Sequence, residues 1–175
     1  SLIGSGRTDA GVHAIEQSAH FECKKEIHNL DKFLKSVNHF VNNMNVSIIN
    51  IKKRNINFHA RFSAKQRIYK YVIFNRLSKP AIEKRRGWHI IKELDISLMK
   101  KGAKKLLGTN DFSTFRSSSC SAKSSIRTMK SIKIKSIRGR IEIQFKSQSF
   151  LQQQVRSMVG CLKYLGEKKW DLKKF

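Results

Sequence analysis

Three glycines within eight residues, Gly4, Gly6 and Gly11, punctuate the stretch Gly4-Ser-Gly-Arg-Thr-Asp-Ala-Gly-Val-His-Ala14. A backbone so supplied turns sharply and lets a ligand approach closely. Inside the loop sits one carboxylate, Asp9, among Arg7, Thr8 and His13. The chain carries 37 Lys and Arg against 12 Asp and Glu, a formal charge of +25, so a lone acid in this loop stands out. If Arg7-Thr8-Asp9 is extended, side chains two apart project to the same side and Arg7 and Asp9 share one site. A guanidinium there holds the carboxylate ionised, which suits a nucleophile or a base. Composition alone leaves a capped turn as the alternative, because Asp, Thr and Ser also bond their own backbone.

The charge excess points to a polyanionic partner and to binding that weakens steeply with salt. Nucleic acid fits better than an anionic membrane, since no lysine run borders an apolar helix. Hydrophobic residues make up 39% and charged residues 28%, the balance of a globular chain rather than a disordered one. Cys23, Cys120 and Cys161 are odd in number and far apart, which fits a reducing compartment and neither a disulfide framework nor paired metal ligands. The six histidines lack metal-ligand spacing, and no segment approaches eighteen consecutive apolar residues. No metal, cofactor or membrane partner is expected.

Ser1-Leu2-Ile3 reads as the tail of a strand entering the loop, and residues 16–22 as a short strand beyond it. Leu30, Phe33, Leu34, Val37 and Val41 recur at helical spacing, with Asp31 as cap or first-turn acid. The β-branched run over residues 46–51 predicts another strand. Residues 67–75 alternate: Ile68, Lys70, Val72 and Phe74 face one way, Tyr69, Tyr71 and Ile73 the other. Residues 76–90, with the only proline, Pro80, read as an irregular basic connection. Asp95 caps a helix through Leu107 that Gly108 ends. A Ser-rich basic loop, 117–125, precedes a hairpin in which Ile132 and Ile134 answer Ile141, Ile143 and Phe145 across Arg138-Gly139. Last, Leu151, Val155, Met158, Val159, Leu162 and Leu165 form one apolar helical stripe with Arg156 at its edge.

Five blocks carry a resemblance: Gly6-Arg-Thr-Asp-Ala-Gly-Val-His-Ala14, His59-Ala-Arg-Phe-Ser-Ala64, Arg67-Ile-Tyr-Lys-Tyr71, Asp111-Phe-Ser-Thr-Phe-Arg116 and Val155-Arg-Ser-Met-Val-Gly160. In order and spacing they resemble the tRNA pseudouridine synthase A family over nearly the whole chain. The resemblance implies an α+β pseudouridine synthase fold: two α/β halves, residues 1–57 and 58–175, sharing a mostly antiparallel sheet with a basic central cleft. It implies a cytoplasmic homodimer acting on tRNA, at uridines 38–40 of the anticodon arm.

By the same resemblance Asp9 is the nucleophile, attacking either the ribose or the uracil ring. Tyr69 is the active-site tyrosine that stacks on the base or takes up a proton, Arg156 pairs with Asp9, and Arg7 helps displace the target base. Arg61, Arg67, Arg116, Arg127 and His59 stand in family-like blocks as RNA-backbone or structural residues. The pattern departs from the family at Gln152-Gln-Gln154, where an apolar residue and a methionine are usual. It departs again at residues 42–48, which lack the usual proline and acid. Family members also carry a strand and helix with a YDG-type motif before the glycine loop, and a strand and helix after the last helix. Neither is visible, so the chain reads as a fragment. The alternative from another class is a non-catalytic basic RNA-binding module.

Overall fold

A computed structural model describes residues 1–175. The chain divides into two units, Ser1–Ala64 and Lys65–Phe175. Residues 58–64 cluster with the first unit.

In the first unit, β1 (Leu2–Gly4) and β2 (Ala19–Phe21) pair antiparallel, with Ile3 opposite His20. Helix α1 (Leu30–Val41) begins at Asn29, whose side chain accepts from the Lys32 amide at 2.8 Å; Asp31 is the first-turn acid, not the cap. Its predicted stripe of Leu30, Phe33, Leu34, Val37 and Val41 is half-buried. The strand predicted over 46–51 does not form. Instead the Asn38 amide side chain donates to the Ile48 carbonyl (2.9 Å) and accepts from the Ile48 amide (2.7 Å), satisfying both backbone groups as a neighbouring strand would. In this unit Ala60 is the one buried apolar residue, while Ile15, Phe40, Ile49, Ile56 and Phe62 are exposed.

The second unit holds the core. Its five-stranded sheet runs β4-β3-β7-β6-β5, antiparallel except for β3 with β4. The strands are β3 (Arg67–Asn75), β4 (Trp88–Ile90), β5 (Gly108–Asp111), β6 (Ile126–Ile137) and β7 (Arg140–Ser147). The mostly antiparallel sheet that the resemblance implied is present in this unit, and the β1–β2 ribbon is described within the first unit. Strand β4 lies inside the segment expected to be irregular. Its pairing with β3 is a tertiary choice that three residues of local sequence do not announce. The β6–β7 hairpin turns through Arg138 (φ 47°) and Gly139 (φ 74°), the two left-handed residues of a type I′ turn.

Helices α2 (Ile96–Lys105) and α3 (Gln154–Gly166) pack with one face of this sheet. Asp95 caps α2, accepting from the Leu98 amide at 2.9 Å. Phe145, Ile143, Ile141 and Ile73 meet Met99, Met158, Val159, Leu162 and Leu165 in a core where every one of these side chains is buried. On the opposite sheet face, Phe74 is buried beneath Gly87 and beside Arg140, which pairs with Glu83 and Glu142. Removing the Phe145 ring by Phe145→Ala is expected to cost about 3–5 kcal/mol in denaturant unfolding.

Just beyond α3, the buried carboxylate of Glu167 meets Lys163 Nζ at 2.8 Å and Lys169 Nζ at 3.3 Å. Burial pushes its pKa up, but hydrogen bonds and charge from the two lysines outweigh this and hold it below the ordinary 4.5. A folded-state pKa below the unfolded one contributes stability above the unfolded value, lost as pH falls through the folded value. Glu167→Gln should therefore destabilise the protein at pH 7, and by progressively less as the pH falls through the folded-state value. A destabilisation in urea titrations that stays the same size throughout acidification would refute this origin.

Candidate active site

The glycine-rich loop joins β1 to β2 and is pinned at its base. The Ser5 amide donates to the Ser18 carbonyl at 2.8 Å, and Gln17 Nε2 donates to the Gly6 carbonyl at 2.6 Å. Farther out, the Val12 amide donates to the Asp9 carbonyl at 3.1 Å, closing a turn over residues 9–12. Gly11 is its third residue at φ 78°, and Ala10 keeps a negative φ, the pattern of a type II turn. Asp9 is thus the first residue of a tight turn whose geometry Gly11 supplies, and its side chain is exposed, as is that of Arg7. A Cβ at Gly11 meets nothing within 4 Å, so Gly11→Ala would act through backbone strain alone. We expect it to cost about 1 kcal/mol and to loosen the loop around Asp9, read as faster amide exchange at Val12.

His59 closes the first unit. Its amide donates to Ser63 Oγ (3.1 Å), and its Nδ1 accepts from the amides of Arg61 (3.2 Å) and Phe62 (3.3 Å). The ring also lies 4.3 Å from that of Phe62 and 4.8 Å from that of His20, whose Nδ1 accepts from the Ala60 amide. With Nδ1 engaged by its own turn, only Nε2 is left for another contact.

Arg67, Tyr69, Arg116, Arg127 and Arg156 belong to the second unit. Tyr69 stands opposite Phe145, on the sheet face that the helices cover, and is half-buried. Phe150 meets it edge to face, ring centroids 5.0 Å apart at 87°. Arg67 Nη1 donates to the Gln148 carbonyl at 2.6 Å, tying down the segment that delivers Phe150. Farther along, Gln154 is fully buried and its Oε1 accepts from the Leu151 amide at 2.8 Å. One glutamine of the unusual triplet therefore organises the entry into α3, while Gln152 and Gln153 are exposed. Arg156 follows in the first turn of α3, its side chain exposed.

The Ser-rich loop packs beside this entry. Arg127 Nη1 donates to the carbonyls of Ser124 (2.9 Å) and Ile126 (2.6 Å), bracing the loop from within, and Ser117 donates its amide to the Gln152 carbonyl at 3.0 Å. Arg116 is exposed. Asp111 Oδ1 accepts from the Ser113 amide at 2.9 Å, and bonds from Ser125 and Ser113 hold its pKa low. Within the loop, hydrogen bonds from the Ala122 and Gln152 amides, with the charges of Arg116 and Arg127, bring the Cys120 thiol down, whereas burial pushes Cys161 up. Thiolates are the alkylated species, so iodoacetamide at neutral pH should label Cys120 well before Cys161, as followed by peptide mass spectrometry. Equal labelling rates would refute the difference.

Sequence reasoning put Tyr71 on the Tyr69 face of β3 without giving it a role, and it passed over Phe150. Tyr71 shares its strand face with Tyr69, and burial raises its pKa while the charge of Arg156 pulls it back. The alternation of β3 was a signal for Tyr71; nothing local marked Phe150. No three His, Cys, Asp or Glu side chains come together as metal ligands, and no helix is long and apolar enough to cross a membrane.

The family model for tRNA pseudouridine synthase, a class of enzymes, matches residues 103–175 of this α+β chain. The chain is 80% identical over 174 residues to tRNA pseudouridine synthase A of Pelagibacter ubique, covering 99% of this chain and 71% of that protein. It is 41% identical over 171 residues to the synthase A of Paramagnetospirillum magneticum (98% and 66% covered) and 43% identical over 160 residues to that of Anaplasma phagocytophilum (91% and 64%). The chain belongs to the tRNA pseudouridine synthase A family, a family of isomerases. It spans about two thirds of the length of these relatives, from 64% to 71%.

Proposed function

We propose that this chain carries the uridine-isomerising chemistry of a tRNA pseudouridine synthase, acting in the anticodon arm at positions 38–40 with Asp9 as nucleophile. The observation that carries the reading is the kinship at 80% identity of a chain whose glycine turn presents an exposed aspartate. The reaction breaks the bond between ribose C1′ and uracil N1, rotates the base, and joins C1′ to C5. The proton on C5 is lost and N1 ends protonated, so atoms and electrons balance without a redox partner. Asp9 attacks C1′ or the uracil ring, and either route needs it ionised.

Arg156 serves as the cation that keeps the carboxylate charged and aimed. Tyr69, held edge-on by Phe150, stacks on the extruded uracil or takes up the late proton. Arg7 fills the space the base leaves; extrusion costs a few kcal/mol that contacts in the pocket must offset. Arg61, Arg116 and His59 Nε2 are positioned as backbone contacts, while Arg67 and Arg127 support the segments that carry the site. A basic cleft receives the RNA by shape and charge, and a cytoplasmic homodimer is the working form.

Tritium release from tRNA labelled at uridine C5 tests this directly. Asp9→Asn should abolish release while leaving tRNA affinity within about twofold, because one exposed carboxylate adds nothing to phosphate binding. Retained turnover in Asp9→Asn would remove it as nucleophile. Binding without release by the unaltered chain would leave the non-catalytic RNA-binding module instead.

A further inference from the structure

Gln154 is the one carboxamide sealed in the core of the second unit, fully buried at the first position of α3. Its Oε1 accepts from the Leu151 amide at 2.8 Å, and its own amide donates to the Leu151 carbonyl at 3.2 Å. One residue thus engages both backbone groups of Leu151. Gln153, with φ 60°, gives α3 no side-chain cap, so this clasp closes the turn that leads into the helix. Meanwhile Gln154 Nε2 is buried without an acceptor. An unmatched buried donor is costly, and a methionine fills nearly the same volume without one. Stability therefore does not account for a carboxamide here; the backbone that it holds does.

That backbone carries Phe150, which immediately precedes Leu151 and meets the Tyr69 ring edge to face, centroids 5.0 Å apart. On the other side of Phe150 the chain is fastened as closely. Ser147 Oγ lies 2.8 Å from the carbonyls of both Thr128 and Ser149, and Arg67 Nη1 donates to the Gln148 carbonyl at 2.6 Å. Phe150 is bracketed, with Gln154 as the fastening on its helix side. We propose that Gln154 is a positioning residue for Tyr69: by clasping Leu151 it fixes Phe150, and Phe150 holds the Tyr69 ring in the attitude in which it meets the uracil. The proposal rests on the role given to Tyr69 above.

Gln154→Met keeps the volume and deletes the clasp. With tyrosine rings isotopically labelled, the Tyr69 ring resonance feels the neighbouring Phe150 ring, and Phe150→Leu shows how far and in which direction that contact shifts it. Gln154→Met should shift the same resonance in the same direction; an unmoved resonance overturns the proposal whether or not the chain turns over. In the tritium assay, Gln154→Met should lower kcat about tenfold or more with KM for tRNA unchanged, the scale expected when a group at the reacting centre is misplaced. Adding Phe150→Leu should lower it no further, because both changes act through one ring pair. Effects that multiply in the double variant, or a lowered melting temperature with kcat intact, overturn the proposal. Should Gln154→Met not fold, Phe150→Leu at its half-buried position tests the same pair, and an unchanged kcat there is equally fatal. Absence of turnover in the unaltered chain would count against the proposed function instead, and the Tyr69 resonance still decides whether Gln154 governs that ring.

Discussion

The antiparallel register of β3 on β7 is the constraint on which the second unit depends. With Tyr69 opposite Phe145, Tyr71 opposite Ile143 and Ile73 opposite Ile141, one face of β3 is committed to the core. A slip of one residue would bring Ile68, Lys70 and Val72 to that face and put a lysine against α3. The type I′ turn at Arg138-Gly139 fixes the partner strand, and the buried row from Phe145 to Ile141 holds the register against slippage. Two tyrosines thus share a face with the helix that carries Arg156, as a consequence of the pleat and without a dedicated loop. A rigid strand loses less on ordering than a mobile segment would, which suits the base-contacting role proposed for Tyr69.

The first unit works by a different principle. It buries almost nothing apolar, and its order comes from polar closures: Asn38 on Ile48, Gln17 on Gly6, His20 on Ala60 and the His59 turn. Such closures contribute about 1 kcal/mol each, so they define local shape more than global stability. Asp9 sits on the most local of them, a single backbone bond made possible by Gly11. The nucleophile proposed here is presented by backbone geometry, while the tyrosine and arginine are presented by a packed core.

Much of this was legible because each signal was local and periodic. The stripe of α1, the capping aspartate of α2, the alternation of β3 and the Arg138-Gly139 hairpin all follow from residues within a turn or two of one another. The expected strand at 46–51 failed because β-branched residues favour a strand only where a partner exists, and a side-chain amide took the partner's place. Strand β4 escaped notice for the converse reason, since its partner lies more than ten residues away in sequence. Asp9, Tyr69 and Arg156 are proposed because they stand in ordered motifs. Phe150 and the burial of Gln154 depend on how the segment after β7 folds back, and no spacing rule announces that.

The central proposal is that Asp9 is the nucleophile and that Tyr69 contacts the target base. A tRNA bearing photoreactive 4-thiouridine at its target position, cross-linked to the protein and mapped by peptide mass spectrometry, tests it most directly. The account predicts adducts on the peptides containing Tyr69–Tyr71 and Asp9. Adducts confined to the opposite sheet face, around Lys133 and Lys135, would contradict it.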